Sequence, residues 1–238
     1  MTVDIILTAR EIYPEKVEGK TVIVIDVLRA TSVMTTALDN GAKQVIPVLT
    51  PEEAFELQKK MGKEKVVLGG ERNAVPIEGF DFGNSPFSYT PEIIKDKTLV
   101  ITTTNGTRAI VNAKGAKNLF VGSFLNDRAI VETVRNEQEV VIVASGSHNL
   151  FTMEDSLCAG KIAHDLEQRV GAQLSDVAIA MASLYEQNKH DIHALASKGR
   201  HYNRLKGLGA EKDLAYCFKS NETDVVPVYT KDGTLVRW

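Results

Sequence analysis

Cysteine is scarce in this chain, and so are aromatics, basic runs and long apolar stretches. Its 238 residues include two cysteines, Cys158 and Cys217, with no CxxC pair and no Cys/His spacing suited to zinc. That count argues against a disulfide scaffold, and buried, reduced thiols in a cytoplasmic protein are the expectation. No apolar run approaches the ~20 residues that a bilayer-spanning helix needs. The opening "MTVDIILTAR" lacks the basic start and long apolar stretch of a signal peptide. Lys and Arg number 28 against 31 Asp and Glu, a net charge of −3, and the few aromatics are not interleaved with basic runs. Neither nucleic acid nor an anionic membrane is therefore an expected partner. What is present is an ordinary globular composition, 43% apolar and 25% charged, in a length that fits one large domain or two small ones.

Strand-like and helix-like runs alternate. The strand-like runs are continuous and β-branched: "TVIVIDV", "KQVIPV", "KVVLGG", "TLVITTT", "NLFVGSF" and "EVVIVASGS". Such runs suit strands covered on both faces, so the fold class is α/β, with mixed or parallel sheets covered by helices. The helices have readable ends. "TPEEAFELQKKMG" offers Thr50 as cap, Pro51 in the first helical position, Glu53 to complete a capping box and Gly62 to stop it. "SVMTTALDNG" places Val33, Met34, Ala37 and Leu38 on one face and stops at Gly41. "SDVAIAMASLYEQNKHDIHALASKG" reads as two helices broken near Asn188 to Asp191, and "AEKDLAYCFKS" as another. The chain ends in "VVPVYTKDGTLVRW", a hairpin whose Pro227 predicts an edge strand. That edge, with Trp238 beside it, is compatible with a homodimer without requiring one.

Two stretches read as copies of one unit. One starts at Lys20 and the other at Lys97, and each runs strand, polar turn, helix, "GAK", strand, capped helix. Exact identity is confined mainly to the Lys-Thr start and the "GAK", so the two readings are related βαβ-type halves or the general likeness of any two βαβ units, in a single unit of residues 1–238 for which two lobes near 1–90 and 91–238 are one arrangement. The polar turns "DVLRATS" and "TTTNGT" hold the same place in each copy, the carboxyl end of a strand, where ligands bind in open α/β sheets.

Four polar clusters sit at such positions. Asp26, Arg29, Thr31 and Ser32 join a carboxylate, a guanidinium and a helix start; the alternative use is a buried ion pair beside a cap. "GGERNAVPIEGFDFGNSP" contributes Glu71, Arg72, Asn84 and Ser85, in either a functional loop or a structural Ω-loop. "TTTNGTRA" contributes Thr104, Asn105, Gly106, Thr107 and Arg108, as a phosphate cradle or a capped helix start. "ASGSHNLFTMEDSLCAG" contributes Ser145, Gly146, Ser147, Glu154 and Asp155; the two acids answer the helix dipole or complete an oxygen-ligand metal site. His148 reads as a polar loop residue. A fifth stretch, "KGRHYNRLKGLG", reads first as a solvated basic turn, with an anion site as the alternative. Hydroxyls, glycines, arginines and carboxylates together suit phosphate with Mg²⁺. No Walker A loop is present, nor DxD, since Leu28 stands where the second acid would be.

Taken in order, "IDVLRATS", "GGERNAVPIEGFDFGNSP", "TTTNGTRA" and "MEDSLCAG" resemble the signature blocks of the 2-phosphosulfolactate phosphatase family, whose namesake activity belongs to coenzyme M biosynthesis. The least family-like parts are "NAVP" and "SHNLF". The resemblance implies a Mg²⁺-dependent phosphatase that releases 3-sulfolactate and phosphate from 2-phospho-3-sulfolactate, a small substrate with three anionic groups.

Under that reading Asp26, Glu71 and Asp155 are expected to hold Mg²⁺, with Glu154 a fourth acid. Asp26, Arg29 and Glu71 are the expected catalytic residues, and Asp26 has two open roles, metal ligand or nucleophile. Arg29 and the "TTTNGT" turn are expected on the phosphoryl oxygens, with Thr31, Ser32, Ser85, Arg108, Ser145 and Gly146 lining the site. Arg72, Asn84 and Ser147 are expected on the carboxylate or sulfonate. The rival functions are a Mg²⁺-dependent lyase or isomerase of a phosphorylated hydroxy acid and a non-catalytic sensor of an anionic metabolite.

Overall fold

Strand β2 (Thr21–Ile25) is buried at every residue, because it is covered on both faces. Its alternate side chains enter different cores: Ile23 and Ile25 one, Val22 and Val24 the other. The computed structural model describes residues 1–238. The other strands are β1 (Thr2–Ile6), β3 (Gln44–Pro47), β4 (Val66–Arg72), β5 (Val75–Pro76), β6 (Thr98–Thr102), β7 (Asn118–Gly122), β8 (Glu139–Ala144), β9 (Gln173–Leu174), β10 (Pro227–Tyr229) and β11 (Leu235–Arg237). The longer helices are α2 (Ala30–Asp39), α3 (Pro51–Met61), α5 (Gly106–Asn112), α6 (Asp127–Val134), α7 (Met153–Val170), α8 (Asp176–Asn188), α10 (Arg200–Gly207) and α11 (Glu211–Cys217); α1 (Pro14–Val17), α4 (Pro91–Ile94) and α9 (Ile192–Ala196) are short.

All six strand-like runs are strands, and the sheet is mixed α/β as expected. Its order is β5-β4-β6-β3-β11-β10-β7-β2-β8-β1-β9. One parallel block contains β7, β2, β8, β1 and β9, the other β3, β6 and β4. The C-terminal hairpin joins them by single antiparallel residue pairs, Val228 with Phe120 and Leu235 with Val45. The edge-strand expectation for this hairpin is thereby corrected, since both of its strands have neighbours. Pro227 is tolerated because it is the first residue of its strand, where a missing N–H need break no ladder. Trp238 is exposed but sets its ring edge-on to Phe120 at 5.3 Å.

The two blocks fold over a shared layer of helices. α2 and α5 pack between them, with Met34, Leu38 and Ile110 touching a core that includes Val24 and Val121 of one block and Leu99 and Ile101 of the other. Helices α6, α7 and α8 cover the outer face of the first block, and α3 that of the second. This position makes α2 buried around its whole circumference, hydroxyl residues Thr31, Ser32, Thr35 and Thr36 included. The capping box of α3 is present in altered form. Thr50 accepts from Glu53 N at 3.2 Å, while the Glu53 carboxylate accepts from Leu49 N at 3.0 Å, one residue before the cap.

The two sequence copies exchange strands. β2 and β7 pair in the first block, β6 and β3 in the second, with matching register: Thr21 opposite Asn118, Thr98 opposite Gln44. The "GAK" lysines make equivalent hydrogen bonds, Lys43 N to Lys97 O and Lys117 N to Lys20 O, both 2.8 Å. The two polar turns match as well. Thr31 accepts from Asp26 N and donates to Asp26 O, at 2.9 and 2.8 Å. Thr107 does the same with Thr103 N and O, at 3.1 and 2.9 Å. The starts of α2 and α5 meet at Gly106. A Cβ there would lie 2.5 Å from Ala30 Cβ and 2.7 Å from Asp26 Oδ2. Gly106→Ala is therefore expected to lower the unfolding free energy by about 1–3 kcal/mol through overpacking. Urea denaturation checks this, and an unchanged midpoint would contradict the packing.

Candidate active site

Strand ends from both blocks converge on one cleft. Asp26 and Arg29 come from the turn after β2, Glu71 from the end of β4, Thr104 and Asn105 from the turn after β6, and Ser147 from the turn after β8. Asn84 and the basic helix α10, through His201 and Arg204, complete the walls. The fold-over explains the convergence: strands from two blocks point their carboxyl ends into the cleft from either side of α2 and α5.

The buried acids differ in how their oxygens are used. Asp155 Oδ1 accepts from Val27 N at 2.8 Å, and Oδ2 accepts from Gly146 N at 3.0 Å and Thr152 Oγ1 at 2.8 Å. Asp155 thus ties the turn after β2 to the turn after β8. Glu71 Oε1 accepts from Thr104 N at 2.8 Å, and Oε2 from Ala74 N at 2.6 Å and Thr104 Oγ1 at 3.3 Å. Asp26 Oδ1 accepts from Ala30 N at 3.1 Å, and its Oδ2 accepts nothing from the protein. Glu154 Oε1 faces His201 Nδ1 at 2.9 Å, while Oε2 is buried and unpartnered. No three acidic, histidine or cysteine side chains form a closed metal cage. Asp26 offers a free carboxylate oxygen in this cleft, and Glu154 lines the adjoining chamber with its own unpartnered oxygen buried; oxygen donors of this kind suit a hard cation that keeps part of its water shell.

The expected arginines separate. Arg29 pairs with Asp213 of α11, which also accepts from Ser85 Oγ at 2.7 Å, and its buried Nε has no partner. Arg72 turns away from the cleft to Leu49 O and Thr102 Oγ1, both 2.8 Å, and Glu71 O at 2.9 Å. Arg108 is exposed on α5 and does not line the cleft. Thr31, Ser32 and Thr107 are buried behind it, Ser32 donating to Val27 O at 2.8 Å. Gly146 serves Asp155, and Ser145 anchors to β2 by donating its N–H to Ile25 O at 2.8 Å. Asp213, His201 and Arg204 were outside the expected set. They follow the other turns by many residues, and only the packing of α10 and α11 brings them in. The sole sequence signal was the positive charge of "RHYNR".

Crowding sets the electrostatics. Burial pushes the Asp26 carboxyl up to about 6; the Ala30 N–H and the His201 charge oppose this, and Glu71 and Glu154 add to it. Burial also raises Asp155 well above the usual carboxylate range, with the charges of Asp26 and Glu154 adding to the shift. Burial works against a charged His201, yet its bond to Glu154 and the nearby acid charges outweigh that and raise its pKa. An Asp26 pKa raised on folding opposes folding when the group is ionised. This penalty is absent below the unfolded value near 4, grows through pH 4–6 and is full above about 6. Asp26→Asn is accordingly expected to stabilise the metal-free protein by roughly 1–3 kcal/mol at pH 8 and by little at pH 4. Urea unfolding at the two pH values checks the sign.

No helix is long and apolar enough to cross a membrane. The family model described as 2-phosphosulpholactate phosphatase matches residues 6–232. A Clostridium novyi protein named probable 2-phosphosulfolactate phosphatase is 47% identical over 230 residues, 96% of this chain and 97% of that one. A Clostridium acetobutylicum protein of the same name is 46% identical over 237 residues, 99% of this chain and all of its own length. A Clostridium kluyveri protein, also so named, is 43% identical over 236 residues, 99% of this chain and 97% of that one. With a family model spanning nearly its whole length and near full-length relatives, this chain belongs to the 2-phosphosulfolactate phosphatase family.

Proposed function

We propose that the cleft hydrolyses the phosphate monoester of 2-phospho-3-sulfolactate, giving 3-sulfolactate and phosphate, with Mg²⁺ as cofactor. One observation carries this: turns from both sheet blocks bring buried carboxylates, one of them with a free oxygen, together with cations and hydroxyls to a single cleft. The family's printed name supplies the substrate. Asp26 and Glu154 would hold Mg²⁺, with Glu71 beside them. Bound there, the metal supplies a Lewis acid for the phosphoryl oxygens.

The chain's own groups divide the remaining work. Ala30 N–H fixes one Asp26 oxygen and so orients the other. Glu71 pins Thr104, which keeps the turn after β6 against the cleft. Arg29, steadied by Asp213, and His201, steadied by Glu154, supply positive charge for a phosphoryl group whose charge shifts during transfer. Asn105 Oδ1 accepts from His148 N at 3.3 Å and so joins two cleft walls.

Phosphate release from synthetic 2-phosphosulfolactate tests the reading. Release is expected with Mg²⁺ and is lost with chelator. Asp26→Asn and Glu154→Gln are expected to lower kcat by about 10³-fold or more and about 10²-fold, respectively. Added Mg²⁺ is expected to raise the melting temperature of the parent chain and not of Asp26→Asn. Full activity of the Asp26 variant, or release untouched by chelator, would reject the assignment of that residue or of the metal.

A further inference from the structure

We propose that Arg204 is the specificity-determining cation of the cleft, binding the sulfonate carried by the substrate's leaving alcohol. This rests on the phosphosulfolactate reading and deepens it. Arg204 stands where the cleft opens into a larger chamber of about 470 Å³, and Ser147, His148 and His201 line both spaces with it. The far side of the chamber is also basic, through Lys198 and Arg200.

Its charge is unspent. Arg204 donates to Asn73 O at 2.7 Å and meets His148 Nε2 at 3.3 Å; neither partner is a carboxylate, and Arg204 joins none of the chain's ion pairs. Of the arginines expected from the sequence, Arg29 is paired with Asp213 at the phosphoryl end, Arg72 is bound to groups outside the cleft, and Arg108 lies on the surface away from it. Two contacts leave most of the guanidinium's five donors for a ligand.

Its position is also built. Asn73 and His148 hold left-handed backbone conformations, φ 56° and 52°, which residues with a Cβ adopt infrequently. Those turns bring a carbonyl and a ring to the guanidinium, so Arg204 ties the β4–β5 turn, the turn after β8 and α10 together. A planar, weakly hydrated guanidinium with parallel N–H groups suits a sulfonate's oxygens. The acidic floor repels that same group, so the two walls sort the substrate's ends: phosphoryl toward Asp26 and Arg29, sulfonate toward Arg204.

The test compares 2-phosphosulfolactate with 2-phospholactate, which has a methyl group in place of the sulfomethyl, for the parent chain, Arg204→Gln and Arg204→Lys. The ratio of kcat/KM for the two esters is read. We expect the parent to favour the sulfonated ester and Arg204→Gln to lower that ratio at least about tenfold, with Arg204→Lys intermediate. Activity on 2-phospholactate serves as the internal check that each variant is folded. An unchanged ratio, whatever happens to the absolute rates, overturns the role of Arg204 and leaves the phosphatase reading standing. A parent chain that releases no phosphate from 2-phosphosulfolactate overturns the substrate reading and this inference with it.

Discussion

The approach of two helix starts at Gly106 governs the rest of the molecule. α2 and α5 touch there, with Ala30 and Asp26 filling the space that any side chain would need. Because the helices meet, the two parallel blocks can close over them, and because the blocks close, their strand ends face one cleft. The same contact places Asp26, whose own turn is shaped by the Thr31 hydroxyl, against the matching turn that Thr107 shapes, at Gly106. One missing methyl group thus links the packing of the core to the location of the chemistry.

A second constraint follows from charge. Asp26, Glu71, Glu154 and Asp155 are all nearly out of water, and isolated buried carboxylates are costly. The protein answers unevenly. Asp155 and Glu71 are saturated by backbone and hydroxyl donors and serve to hold turns together. Asp26 and Glu154 each keep a free oxygen. The burial of ionised Asp26 is a cost in folding that a bound cation would offset, which separates this residue from the acids that build the cleft.

The sequence made the local structure legible and hid the long-range part. Continuous apolar runs gave six of the strands but not β1, whose "TVDII" is broken by a charge, and Thr50, Pro51 and Gly62 bounded α3, since these signals depend on neighbours in the chain. The four polar turns were recognisable because glycines, hydroxyls and acids cluster where a strand ends. Nothing local says that β2 pairs with β7 and β6 with β3, so the exchange of strands between copies was not readable. Pro227 pointed to an edge because proline usually does; that both neighbours of the hairpin would be supplied from afar left no trace in "VVPVY". Arg72 looked as suitable as Arg29 by charge alone. Its diversion to Leu49 O and Thr102 depends on side-chain direction, which composition does not carry.

The C-terminal hairpin lies at the middle of the sheet, between β7 and β3. Synthesis therefore delivers this central piece after every strand it joins. While the chain is still growing, each block can assemble only as residues near 100 and 140 emerge to pair with strands made earlier, and the gap between the blocks stays open until Leu235 arrives. A chain that has not yet supplied β10 and β11 leaves β7 and β3 with bare edges, the kind of exposed strand that aggregates or is cleared by proteases.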